Sequence, residues 1–192
     1  LHLCHHNLES IETNNYDSDN AKHNLLLEVC MAAKYEGDSI KNYYPEHHLT
    51  NPGTASQLCT VLARSFADIG DIVRGKDLFY GNPQESTQRI ILENKLKEIF
   101  QKIHEDVTRG RNRQTLKARY KDGKDPYYYQ LREDWWTANR HTVWKAITCK
   151  AKEADKYFRN TCSNDTSHTN EKCRCKGDQV PTYFDYVPQF LR

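Results

Sequence analysis

No stretch of this 192-residue chain approaches the roughly 18 consecutive apolar residues that a membrane-spanning helix requires. A charged-then-apolar leader is missing too, and the chain opens on Leu1 without a methionine, so a secretion signal and any anchor are expected elsewhere. Net charge is nearly absent. The 28 Lys and Arg against 26 Asp and Glu leave +2, which argues against a protein that coats polyanions along its whole surface and makes the local distribution matter more. Apolar residues are scarce, 37% against 28% charged with a mean hydropathy of −0.92, so the core must be narrow and much of the length solvated. No internal repeat occurs, and the apolar-polar alternation of a strand is absent except over residues 182–187.

Cysteine is what the chain has in excess. Seven of them, at positions 4, 30, 59, 149, 162, 173 and 175, are too many and too scattered for a routine cytosolic domain of this size, and oxidised pairing is the better reading. The odd count leaves at least one without an internal partner. An extracellular address is also compatible with the sequon Asn164-Asp165-Thr166, a signal too common to carry weight.

The periodicity is helical. Leu25, Leu26, Leu27, Val29, Cys30, Ala32 and Ala33 predict a buried helix over 24–36 that stops at Gly37, followed by a loop over 38–53 with Pro45 and Pro52. Leu58, Val61, Leu62, Phe66, Ile69 and Val73 recur at three- and four-residue steps, predicting a second helix that ends near Gly70 or Gly75. Leu92, Leu96, Ile99, Phe100, Ile103 and Val107 predict a third over 84–108. Trp136, Val143, Trp144, Ile147, Ala151, Ala154 and Phe158 mark a long last helix, or two in line. The expected fold is an all-α, disulfide-stapled antiparallel helical bundle with long loops.

Three constellations invite a chemical reading. Gly70-Asp71-Ile72-Val73-Arg74-Gly75-Lys76 has the spacing of a phosphate-binding loop, yet Asp77 stands where that loop needs a hydroxyl, and a helix rather than a strand precedes it. A helix C-terminus is the simpler account. Cys4 with His5 and His6, and Cys173 and Cys175 near His168, carry zinc-type ligands but not zinc spacing, so no metal or cofactor is expected. Trp135, Trp136 and Trp144 read as core; Tyr127, Tyr128 and Tyr129, next to Pro126, are the more exposed candidates for a stacking platform.

The basic segment differs in kind. Arg109, Arg111, Arg113, Lys117, Arg119, Lys121 and Lys124 fall among residues that include one acid, Asp122, in a stretch read as an exposed loop up to Pro126. Guanidinium forks suit dense anionic oxygens, and an extracellular address favours a sulfated glycan over nucleic acid. The alternative is a solvated charged connector.

Longer blocks point to a family. Residues 63–78, ARSFADIGDIVRGKDL, together with 33–37 (AKYEG), 131–140 (LREDWWTANR), 143–146 (VWKA) and 185–192 (DYVPQFLR), closely resemble, in order, the blocks of the Duffy-binding-like domains of malaria-parasite surface adhesins. They are similar in particular to the alpha class at the head of erythrocyte membrane protein one of Plasmodium falciparum. The resemblance implies a single partial domain over 1–192: about 1–53 the end of a first subdomain with its helix, 54–158 a central helical bundle, and 159–192 the start of a cysteine-rich third subdomain. It implies a non-enzymatic host-cell adhesion module, exported to the infected red-cell surface, that binds a receptor or sulfated glycan on red cells or endothelium in rosetting or cytoadherence. Other implied partners are adjacent domains of the same adhesin and antibodies, without nucleic acid or membrane insertion by this segment. A structural scaffold that positions a neighbouring receptor-binding domain is the alternative. The resemblance further implies a Cys59–Cys149 bridge; among Cys162, Cys173 and Cys175 one internal bridge is expected, with one cysteine paired outside the chain. Trp136, Trp144 and Ile147 are expected to pack against Leu62, Phe66 and Ile69.

Overall fold

The computed structural model describes residues 8, 17, 19–50, 58–77, 83–109, 113–120, 125–157, 159–163, 166–177 and 179–192, with backbone alone at 44–50 and 113. Among the described residues five helices carry the fold: α1 Ala21–Thr50, α2 Leu58–Arg74, α3 Pro83–Val107, α4 Arg113–Arg119 and α5 Tyr129–Ile147. Two single 3-10 turns, Phe184–Tyr186 and Gln189–Leu191, close the chain. Among the described residues there is no strand, only isolated bridges at Cys162–Ser167 and Glu171–Arg174, and the alternation over 182–187 is a 3-10 turn. Helix α1 packs against α5, α2 and α3, and α2 packs against α5 and the first 3-10 turn.

Helix α1 does not stop at Gly37 but runs on through the segment expected to be a loop. The glycine serves a crossing instead of a terminus. A Cβ on Gly37 would lie 2.0 Å from the Ile147 carbonyl oxygen, so only hydrogen lets α1 pass over the end of α5. Nor is the helix buried all round. Leu25, Val29, Ala32 and Ala33 line the core at helical spacing, whereas Leu27, Met31 and Tyr35 face out.

Helix α2 ends as the glycine spacing requires. Gly75 sits at φ 70°, its amide donating to Ile72 O at 3.1 Å and the Lys76 amide donating to Asp71 O at 2.8 Å, the paired bonds of a left-handed helix stop. Earlier in the same helix, Gly70 lies under the Trp136 ring, where a Cβ would come within 2.7 Å of the indole. Phe66 is gripped between two indoles, with ring centroids 5.2 Å from both Trp136 and Trp144. All three rings are fully buried. Helix α5 is shorter than expected, because after Ile147 the Thr148 hydroxyl donates to Trp144 O and the chain turns; Ala151 is buried outside any helix, and Phe158 lies outside the described residues.

The bridges differ from the expected Cys59–Cys149 pairing: Cys59 bonds Cys173, and Cys162 bonds Cys175. Cys149 is a free thiol exposed in the turn after α5, and Cys173 is drawn into the core instead. Three hydrogen bonds explain the placement. The Trp144 indole N–H donates to Cys173 O at 3.1 Å, and Arg174 donates to the Thr148 hydroxyl at 2.8 Å and to Lys145 O at 2.9 Å. Cys173 therefore has its partner within the chain. The other free thiol described, Cys30, is half-buried and its pKa is pushed up to about 11 by burial, which keeps it protonated and unreactive. Cys4 lies outside the described residues.

Candidate receptor-binding surface

The glycine-spaced string in α2 belongs to an internal lock. The Asp185 carboxylate accepts from the Trp136 indole N–H at 2.9 Å and from Arg140 Nε and Nη2 at 2.7 Å each. Arg74, itself buried, donates to Gly70 O and Asp71 at 2.9 Å and to the Asp185 carbonyl. Arg192 reaches back to Asp68 at 2.9 Å and also binds Asp71. Burial raises the pKa of both Asp68 and Asp71, outweighing the lowering by Arg192. Arg74 and Arg140 in turn lie over aromatic rings, Trp136 and Tyr186 for the first, Phe66, Tyr183 and Tyr186 for the second. These groups hold one another and present no cradle of amides for phosphate. Of the zinc-type ligands, Cys173 and Cys175 are in separate disulfides, and Cys4, His5 and His6 lie outside the described residues.

The basic segment is not one open loop. Arg113 to Arg119 forms α4, and two of the expected cations are turned toward acids of the chain. Arg119 grips Asp134 through Nε and Nη2 at 2.7 Å each, with Tyr120 and Gln130 donating to the same carboxylate at 3.2 and 3.1 Å. The Arg119 hydrogen bonds hold the Asp134 carboxyl below its usual pKa and raise that of Arg119. Arg109 lies 3.5 Å from Asp19. Lys117 is partly buried on α4; Arg111, Lys121 and Lys124 lie outside the described residues, as does the side chain of Arg113. Of the cations described, Arg109 and Arg119 are thus paired with acids from separate parts of the chain, Asp19 and Asp134.

A second surface lies where α2, α3 and the start of α5 meet. A groove of about 470 Å³ is lined by Ile72, Gly75 and Asp77 on one side, Arg89, Glu93 and Asn94 of α3 on another, and Tyr127 and Tyr129 at its edge. The backbone aims the tyrosines. Tyr128 sits at φ 58°, a left-handed conformation that costs a bulky residue about 1–2 kcal/mol. It turns its own ring toward His104, centroids 5.4 Å apart, and leaves Tyr127 and Tyr129 stacked at 5.6 Å and 27°. These two remain 40% and 45% exposed. Beneath them Arg132 is fully buried, bound to Glu93 at 2.8 Å and lying over Phe100.

The sequence model of the Duffy binding domain matches residues 1–192, the whole chain. The chain belongs to the Duffy binding domain family. Among solved structures it is 40% identical to the NTS-DBL1(alpha-1) domain of Plasmodium falciparum membrane protein 1 (PfEMP1) from the varO strain, with a TM-score of 0.76 over 99% of this chain and 40% of that one. It is 34% identical to the ICAM-1-binding PfEMP1 IT4var13 DBLbeta domain, TM-score 0.70, over 100% of this chain and 39% of that one. The same DBLbeta domain bound to ICAM-1 matches at TM-score 0.69 and 34% identity, over 99% of this chain and 40% of that one. The chain thus spans about two-fifths of each of these solved chains. A comparison with the curated proteins finds no match.

Within this Duffy binding domain the blocks that carry the resemblance meet in space. Residues 63–78, 131–140 and 185–192 supply Arg74, Trp136, Arg140, Asp185 and Arg192, which interlock as described. What sequence reasoning missed was the groove. Its acids and Arg89 lie 34 to 52 residues from the tyrosines, and the only local signal was the tyrosine run after Pro126.

Proposed function

We propose that this chain is part of a host-cell adhesion module that binds a receptor on red cells or endothelium, a sulfated glycan or a glycosylated protein, in rosetting or cytoadherence. One observation carries the reading: a domain of the same family, similar to this chain over nearly its whole length, is described as bound to ICAM-1. The lock supports it, since it pairs the charges of Asp71, Arg74, Arg140 and Asp185 internally and leaves exposed tyrosines such as Tyr127 and Tyr129 for recognition. In this reading the module acts without catalysis, on the surface of the infected cell, anchored from outside the segment. Among the described residues no helix is long and apolar enough to cross a membrane. The division into the end of one subdomain over 1–53, a central bundle over 54–158 and the start of a third over 159–192 is part of the same proposal.

The basic segment is the candidate sulfate-binding element, through Arg109, Arg111, Arg113, Lys117, Arg119, Lys121 and Lys124. The test is binding of the recombinant chain to red cells with and without a sulfated-glycan competitor, and to heparin at graded salt. Counterion release makes affinity for a polyanion fall steeply with salt, and reversing Arg111, Arg113 and Lys117 to glutamate is expected to weaken binding and flatten that slope. Undiminished, salt-steep binding by the triple reversal would move the sulfate site elsewhere.

A second reading is favoured by the internal pairing of Arg109 and Arg119. There the chain is a scaffold that positions a neighbouring receptor-binding domain and displays variable surface to antibodies. A solved double domain, NTS-DBL1-alpha with CIDR-gamma, is a relative joined to an adjacent domain of the same protein; it is 40% identical, TM-score 0.76, over 99% of this chain and 25% of that one. Absence of red-cell binding by the isolated chain, recovered when its neighbour is attached, is the outcome this reading expects.

A further inference from the structure

Helix α1 carries apolar residues on two sides. Leu25, Val29, Ala32 and Ala33 pack into the core, yet Leu27, Met31 and Tyr35 stand 61%, 36% and 52% exposed along the outer side. Spaced by four residues, they form one stripe about 12 Å long at a rise of about 1.5 Å per residue. Met and Tyr are enriched at the centres of protein interfaces, where charge is depleted. Met31, the one methionine of the chain, lies in the middle of the stripe. The stripe has no part in the lock, the basic segment or the groove. Because the inner side of α1 is already fixed against α5, α2 and α3, the bundle offers it without rearrangement.

The residues around Met31 are arranged about it as a centre. Glu28 and Lys34 lie three positions away on either side, Leu27 and Tyr35 four, Asn24 and Asp38 seven. Seven residues are close to two turns, so Asn24 and Asp38 fall nearly on one line with Met31. A second α1 laid antiparallel across the first, Met31 over Met31, brings unlike residues level. Leu27 then stands level with Tyr35, the Glu28 carboxylate with the Lys34 ammonium, and the Asn24 amide with the Asp38 carboxylate. Parallel alignment would instead set Glu28 level with Glu28 and Lys34 with Lys34, which repel. Antiparallel packing also opposes the two helix dipoles. Such a contact uses one patch twice and closes after two copies.

We propose that this face binds a second copy of the chain, α1 antiparallel to α1 about a two-fold axis at Met31. Two or three turns of helix bury less than the roughly 1,200 Å² of stable complexes, so the pairing is weak and is populated where copies are crowded. It goes beyond the adhesion reading and holds or fails without it. The test is sedimentation equilibrium of the recombinant chain over a wide range of concentration, in a Cys149→Ser background that removes the exposed thiol. The mass is expected to climb from 22.6 kDa toward twice that value as concentration rises. Met31→Glu, which sets like charges face to face on the axis, should weaken association about tenfold or more. Its melting temperature at low concentration should be unchanged, because the side chain faces out. Glu28→Lys and Lys34→Glu should each weaken association, and Glu28→Lys/Lys34→Glu together should restore it, since the level pairing is then only reversed. A chain that stays at 22.6 kDa at every concentration overturns the proposal, and so does a double exchange as weak as the single ones. The last arm is a longer piece of the protein, matching the length of the solved relatives of which this chain spans about two-fifths. Self-association by the chain but not by the longer piece would mean that the stripe is covered within the domain, which also overturns it.

Discussion

The lock around Asp185 and the rim around Tyr127–Tyr129 use similar side chains to opposite ends. In the lock, arginines, aspartates and aromatic rings are buried and face one another, so each charge is neutralised by a partner fixed in the fold. At the rim the same residue types stand half-exposed, with rings stacked in solvent and carboxylates on a groove wall. Burial of a paired charge demands near-complete satisfaction and tolerates little change, whereas an exposed edge can vary at small cost. The difference places specification of the fold in the first region and room for recognition in the second.

The contrast can be broken most severely at the covalent staple. Cys59 and Cys173 are 114 residues apart, and Cys173→Ser is expected to cost about 5 kcal/mol in the chain-entropy model, read by denaturant unfolding under oxidising conditions. Unchanged stability would show that Cys59 takes another partner, with Cys149 the first to map by non-reducing peptide analysis. Next comes Asp185→Ala, which strands the buried Arg140 and the Trp136 N–H; about 3–5 kcal/mol is expected, against less than about 0.5 kcal/mol for an exposed rim change such as Asn94→Ala. Comparable losses at the two positions would erase the distinction. Gly37→Ala pushes a methyl into the Ile147 carbonyl, and a loss of about 1–3 kcal/mol in thermal melts is expected from the forced separation of α1 and α5.

The smallest effect is in pH. Burial raises Asp68 and Asp71 above 3.8, so their contribution is fully present below that pH and is lost as pH rises through the folded values. Asp134 runs the other way: its folded value is lowered by Arg119, so its contribution is present above 3.8 and lost as pH falls through the folded value. Melting curves across the acid range should therefore lose their upper slope in Asp68→Asn/Asp71→Asn and their lower slope in Asp134→Asn. Identical curves for all three proteins would discount both shifts.

The helical class and the faces of α2, α3 and α5 were legible because three- and four-residue spacing maps directly onto burial; Leu62, Phe66 and Ile69, and Leu92, Leu96 and Ile99, all lie in the core. Gly37 misled because a glycine in a helical pattern signals either a stop or a close crossing, and only tertiary structure tells which. The cysteine pairing was not legible for a similar reason. Cys149 and Cys173 are both reachable from Cys59 in sequence, and what selects Cys173 is a hydrogen bond from Trp144 across 29 residues. The groove was half-legible: the tyrosines announced themselves beside Pro126, but the acids opposite them depend on how α3 lies against the end of α2.

The Cys59–Cys173 bridge also has a mechanical consequence. A chain pulled from its two ends would carry the load across that covalent bond, so α2 to α5 lie off the line of force and cannot be drawn out while the bond is intact. The hidden contour is roughly 390 Å, taking about 3.4 Å per residue over the sequence separation of 114. Traction would be felt first by α1 and by the segment that follows Cys173 with its two 3-10 turns, which the Cys162–Cys175 bridge ties back to the shielded loop. The tyrosine rim sits inside the shielded loop, so its geometry would outlast stretching of the ends.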